Sequence, residues 1–192
     1  MTSRSALSSA VGKIAWGYLF LHLHINLGAL DILPDWVFFF LLLQALQELG
    51  ETIPSMKLLR PLAILLGLWS AVQWIGILFG ISLKQSGWSV LRLALSLYLH
   101  YQLLTDLSVL ATQSGIPGTA KWILQLRTAR TVLETLYQLP LVWSWANEIW
   151  PDGTQVVLWI TSALYILTVF LICHALFTLR RALAAEDSDN PL

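Results

Sequence analysis

The stretch GYLFLHLHINLGALDILPDWVFFFLLLQALQEL, Gly17 to Leu49, decides how this chain is read. Two apolar runs flank Asp31-Ile32-Leu33-Pro34-Asp35, where a proline beside aspartates marks a tight, wet turn. The two runs therefore read as a helical hairpin. Inside the first run sit His22, His24 and Asn26, polar groups that need a reason to be in so greasy a segment.

Composition sets the class. Of 192 residues, 57% are hydrophobic and only 11% charged, with a mean hydropathy of +0.69. Soluble domains carry about 25% charged residues, and a chain of this size buries only about 70% of the surface its unfolded form exposes. Lipid is the expected solvent for the remainder. Net charge is zero and no basic run is present, so no nucleic-acid partner is implied. The single cysteine, Cys173, excludes an internal disulfide and CxxC chemistry. Arg4 and Lys13 before an apolar run imitate a signal peptide, but no small-x-small cleavage site follows. The run reads as a retained first span.

A helix needs about 20 apolar residues to cross a bilayer core. Six expected spans follow: Ile14–Leu30, Trp36–Leu49, Leu62–Leu83, Trp88–Leu110, Thr131–Trp150 and Val156–Leu179. The segments GETIPSMK and QSGIPGTA separate spans, and Trp150-Pro151-Asp152-Gly153 reads as a turn. The fold class is thus all-α, a polytopic six-helix membrane bundle. Residues 1–183 form one membrane domain and 184–192 a disordered C-terminal tail. Nine basic residues fall on one side (Arg4, Lys13, Lys57, Arg60, Lys121, Arg127, Arg130, Arg180, Arg181) and two, Lys84 and Arg92, on the other. The positive-inside rule then puts both termini in the cytoplasm, with Trp36, Trp88 and Trp150 at the outer boundary. Trp122 to Arg130 is amphipathic; it lies along the inner surface or extends the fifth span.

Polar groups at membrane depth face the bundle interior or a cavity, because lipid exposure costs several kcal/mol. At about 100° per residue, Tyr18, His22 and Asn26 share a stripe, while His24 lies about 160° from His22, so HLH is no chelating pair. On the fourth span Ser89, Arg92, Ser96, His100, Gln102 and Asp106 fall within an arc of about 160°, opposite a leucine-rich side. On the fifth, Arg127, Arg130, Glu134 and Gln138 fall within about 80°, and Arg130 and Glu134 have the i, i+4 spacing of a helical salt bridge. Trp69, Gln73, Gly76 and Gly80 share a face of the third, with the two glycines as a small-xxx-small contact. Thr161, Tyr165 and Thr168 do the same on the sixth. By depth, His22, Gln73, His100, Gln138 and Tyr165 form one midplane layer from five spans, with Glu134 nearer the cytoplasm. Those five are the expected ligand-binding residues. His100 is expected to be a neutral hydrogen-bond partner of Gln73, Gln138 or Tyr165. Asp31, Pro34 and Asp35 are assigned to the hairpin turn, with Asp35 favouring the N-terminus of the second span.

Three readings of the layer stand side by side. Interhelical hydrogen bonds stabilise bundles by about 0.6 kcal/mol each, which suits a purely structural role. A solute or ion site is the second. Metal or haem ligation by His22 or His24 with His100 is the third, though no cofactor motif accompanies it. HExxH, GxSxG, GxGxxG and Walker patterns are missing, so no enzyme, cofactor or metal site is expected.

The hairpin itself resembles that of a group of small, uncharacterised membrane proteins of Firmicutes. The shared pattern covers about a sixth of the chain, on Gly17, Tyr18, Phe20, Asn26, Gly28, Asp31, Leu33, Pro34 and Asp35; HLH departs from it. The resemblance implies a multi-pass protein of the bacterial cytoplasmic (inner) membrane. The expected function is binding or transport of a small solute through the midplane layer. The alternative is a non-catalytic scaffold or accessory subunit. Membrane lipids are the implied partners, with a second copy or a partner membrane subunit besides.

Overall fold

The computed structural model describes residues 3–22, 26–27, 30–31, 34–79, 88–138, 143–144, 147–148 and 150–188. Six long helices make up the described fold: α1 (Arg4–His22), α2 (Trp36–Leu49), α3 (Leu59–Leu78), α4 (Trp88–Gln113), α5 (Pro117–Gln138) and α6 (Pro151–Ser188). The architecture is an all-α bundle. A 3-10 turn, Pro54–Leu58, leads into α3.

Local chemistry explains several boundaries. Ser3 opens α1 by accepting the Ala6 N–H on its hydroxyl at 3.2 Å, as an N-cap serine does. The helix runs ten residues earlier than the expected Ile14–Leu30 because Ser8, Ala10, Gly12 and Ala15 are packing residues rather than a polar leader, all of them buried. It ends at His22, and the chain then forms an antiparallel ladder pairing Asn26 with Asp31 and Leu27 with Leu30. Asn26 is therefore not on the Tyr18–His22 stripe, and Asp31 serves the connection through its backbone. His24 lies outside the described residues. Helix α2 keeps its expected bounds. Asp35 makes no side-chain capping bond to it; instead the carbonyls of Pro34 and Asp35 accept the N–H groups of Val37 and Phe38.

Between α4 and α5 the chain turns at Gly115, whose φ of +71° is open to glycine and strained for other residues. Ile116 N–H donates to Ala111 O and Gly115 N–H to Thr112 O, the paired bonds of a Schellman ending. Pro117, with no N–H to lose, then starts α5. The fifth helix thus begins 14 residues before the expected Thr131, and Trp122 to Arg130 belongs to its continuous body. The remainder of the expected Thr131–Trp150 span lies largely outside the described residues. Pro151 likewise opens α6, with Thr154 N–H bonded to Trp150 O at 3.0 Å, so Trp150–Gly153 is a helix start and not a turn. At its other end α6 continues to Ser188. The tail assigned to 184–192 is helical for its first five residues, because Ala184, Ala185 and Glu186 sustain a helix. Gly80 lies outside the described residues; Gly76 is buried.

Helices α1 and α2 pack closely, and Gly17 is why: a Cβ there would meet Phe38 Cδ2 at 2.9 Å. On its other side α1 packs along α6, where Ser8 donates to Arg180 O at 3.1 Å and Arg180 lies over Gly12. The first half of α1 and the C-terminal part of α6 thus share one end of the bundle. Helix α5 joins α4 to α6, and α3 bridges α2 and α4. The core is Tyr18, Phe38, Leu42, Leu46, Leu99 and Leu103 with their neighbours.

By length and composition two helices are able to cross a membrane, Pro54–Leu78 and Gly153–Ala185; α2 is apolar but short. Only 17% of the most apolar stretch of the first is buried, and 28% of that of the second. The expectation of six spans exceeds what length and hydropathy support, because α1, α4 and α5 carry too many polar residues to pass on apolarity.

Candidate functional site

In the half of the bundle away from the termini, the helices enclose a cavity of about 250 Å³. His22 reaches it from α1, Gln73 from α3, His100 from α4, Gln138 from α5 and Tyr165 from α6. All five residues of the expected layer therefore line one space. Arg130, Glu134, Arg92, Ser96, Trp69 and Asp35 line it too, and Phe39 and Leu66 supply apolar wall.

Two cross-helix hydrogen bonds frame the cavity. The Tyr18 hydroxyl and His100 Nδ1 share one of 2.8 Å, joining α1 to α4 in the fully buried core. His100 also stacks on Phe38, with centroids 5.4 Å apart and planes 24° apart. Its partner is thus Tyr18, in place of Gln73, Gln138 or Tyr165. Tyr18 sits a turn before His22 on the inward stripe, and α1 lies between His100 and Tyr165. The second bond joins α1 to α6: His22 Nε2 and the Tyr165 hydroxyl are 3.1 Å apart. His22 Nδ1 lies 2.9 Å from the Tyr18 carbonyl. A carbonyl only accepts, so Nδ1 carries the proton. In the neutral ring Nε2 is then an acceptor, and the Tyr165 hydroxyl donates to it.

The sequence offered the charged pair only as a helical salt bridge. Arg130 and Glu134 are 3% and 7% exposed, and Arg130 Nη2 stands 3.1 Å from Glu134 Oε2. The expected salt bridge is present. With α5 starting at Pro117, Glu134 lies 17 residues into the helix and lines the cavity. The guanidinium also lies 5.4 Å over the Tyr18 ring. Among the described residues, Arg130 Nε and Nη1 have no hydrogen-bond partner, and the contact at Glu134 Oε2 is ionic without hydrogen-bond geometry. Buried polar atoms are normally satisfied. Three such atoms stand at the cavity wall, and three others, Glu48 Oε2, Asp106 Oδ2 and Arg127 Nε, lie away from it.

A second polar group lies toward the termini. Lys13 bonds Glu48 at 2.6 Å, Ser55 and Gln102 both donate to Asp106 Oδ1 at 2.9 Å, and Arg127 donates to Thr105 at 2.7 Å while lying 4.0 Å over Tyr101. Gln102 and Asp106 thus leave the cavity-facing arc of α4 and hold the 3-10 turn. Thr161 and Thr168 are buried, but their hydroxyls bond carbonyls of their own helix. Among the described residues no group of histidine, cysteine, aspartate and glutamate is arranged to hold a metal ion.

The site residues the sequence missed are Tyr18, Arg92, Trp69 and Asp35, together with Arg130 and Glu134 as cavity groups. Arg92 and Ser96 were legible as neighbours of His100 on one arc, and Tyr18 as a stripe-mate of His22. No family model, curated protein or solved structure matches the chain.

Proposed function

We propose that this chain is a multi-pass protein of the bacterial inner membrane, with both termini in the cytoplasm, that binds or carries a small solute in the cavity between its six helices. The observation carrying this reading is that polar side chains from five helices converge on one space large enough for a solute. Transport sites of this kind lie at depth, where helices meet.

The membrane setting has independent support. Large apolar side chains stand exposed along α3 and α6, among them Leu68 at 62%, Val72 at 54% and Trp159 at 70%. A soluble monomer rarely exposes a contiguous patch larger than a few hundred Å². A core helix of a soluble protein would be mostly buried; α3 and α6 are the reverse. The helices that fail on apolarity do not fail on length: α5, at 22 residues, is about 33 Å long. Much of their polarity points inward, to the cavity and its frame. Reporter fusions check the topology, with Leu83 expected outside and Gly115 inside; the opposite signal at either site sinks it. A thermal-shift screen of the purified protein against solutes checks the function, since a ligand at 100 times its dissociation constant stabilises by about 2.7 kcal/mol.

The rival reading is a non-catalytic scaffold or accessory subunit, acting with lipids and a second copy or partner subunit. Tyr18–His100 and His22–Tyr165 favour it, being direct side-chain pairs that hold helices together without any ligand. A screen in which nothing stabilises the protein decides for this rival.

A further inference from the structure

The wall of the cavity carries opposite charges with unspent hydrogen-bonding capacity. Arg130 turns Nε and Nη1 to no partner among the described residues, and Glu134 Oε2 has only an ionic contact. Both side chains are more than nine-tenths buried. Leaving such atoms unanswered costs about 1–3 kcal/mol each, more for charged groups, so a bound group that answers them is favoured. What answers a guanidinium N–H is an anionic oxygen, through a charge-assisted bond. What answers a carboxylate oxygen is a cationic N–H donor.

Charge balance narrows the class. The lining holds two guanidinium groups, Arg92 and Arg130, and two carboxylates, Asp35 and Glu134, so its formal charges sum to zero. Adding a lone anion or cation would leave one buried charge uncompensated, which is expensive. A solute with one charge of each sign adds none. The volume of about 250 Å³ is below the range of about 300–1,000 Å³ typical of drug-sized sites, so the solute is small. We propose that the cavity takes a small zwitterion, its carboxylate on the unpartnered Nη1 of Arg130 and its ammonium on Glu134. This rests on the cavity being a solute site and specifies what it holds.

The test is titration of the purified full chain in detergent with L-alanine, L-glutamine, acetate, propionate, methylamine and ethylamine, read by thermal shift and calorimetry. The amino acids should raise the melting temperature with concentration, and the acids and amines should bind at least tenfold more weakly. The double variant Arg130→Met with Glu134→Leu, which exchanges the ion pair for apolar groups, should lose the amino-acid response. Response to acetate or ethylamine equal to that to alanine overturns the zwitterion while leaving a solute cavity. Retained alanine binding in the double variant overturns the assigned residues. Silence from all six probes, with silence across the wider screen, overturns both readings.

Discussion

The two ends of the bundle use the same kinds of side chain to opposite effect. Toward the termini, Glu48 meets Lys13 directly, and Asp106 meets Ser55 and Gln102 on a single oxygen. Those contacts tie α1 to α2, and α4 to the turn before α3. At the other end Arg130, Glu134, Arg92 and Gln73 stand around a space. Both ends keep buried charged atoms without hydrogen-bond partners among the described residues, Glu48 Oε2, Asp106 Oδ2 and Arg127 Nε at the first, so what separates them is the space that the second group surrounds.

The largest test of that contrast is Glu134→Leu. It strands a buried guanidinium and should destabilise by about 3–5 kcal/mol, whereas the double variant with Arg130→Met should recover most of the loss. Equilibrium unfolding in mixed micelles measures both, and a mild single variant would place the pair among the ordinary surface bridges. Next in size is His100→Leu, which leaves the Tyr18 hydroxyl buried without its partner. A loss of about 1–3 kcal/mol is expected, with His100→Gln better tolerated. Wild-type melting of His100→Leu would show that the frame of the cavity does not depend on this bond. At the closed end, Ser55→Ala removes one of two donors to Asp106 while Gln102 remains, so about 1 kcal/mol should go. A loss as large as that of Glu134→Leu would erase the distinction between the ends. Smallest is Lys13→Ala: the Lys13 and Glu48 side chains are 28% and 30% exposed, and about 0.2–1 kcal/mol is expected. Added salt should shrink that difference further.

How much of this was legible follows from what each signal measures. Helical angle depends only on sequence spacing, so the arcs of α4 and α5 correctly grouped Arg92, Ser96 and His100, and Arg130 with Glu134. Depth depends on where a helix begins, and hydropathy misjudges that when the first turns are small or polar. The first span was begun at Ile14 although Ser8 and Gly12 are packing residues, and the fifth at Thr131 although its helix starts at Pro117. Both boundaries moved by ten residues or more. The Tyr18–His100 bond was beyond reach for another reason. Sequence gives each helix its face but not which faces meet, and that is set by close approaches such as Gly17 against Phe38.

The contact of α1 with α6 bears on how the protein is made. Among the described helices these are the first and the last in sequence order, and Ser8 lies beside Arg180 across 172 positions of sequence. A ribosome delivering residues in order releases α6 after α2 to α5, so α1 waits through synthesis of the intervening helices with one flank uncovered. Contacts this distant in sequence form slowly, because the loop between them must be closed first. The bond from His22 to Tyr165 belongs to the same pair. Nascent chains stopped before Pro151 would accordingly hold α1 to α5 but lack one wall of the cavity, so the proposed solute should bind only once α6 has been made.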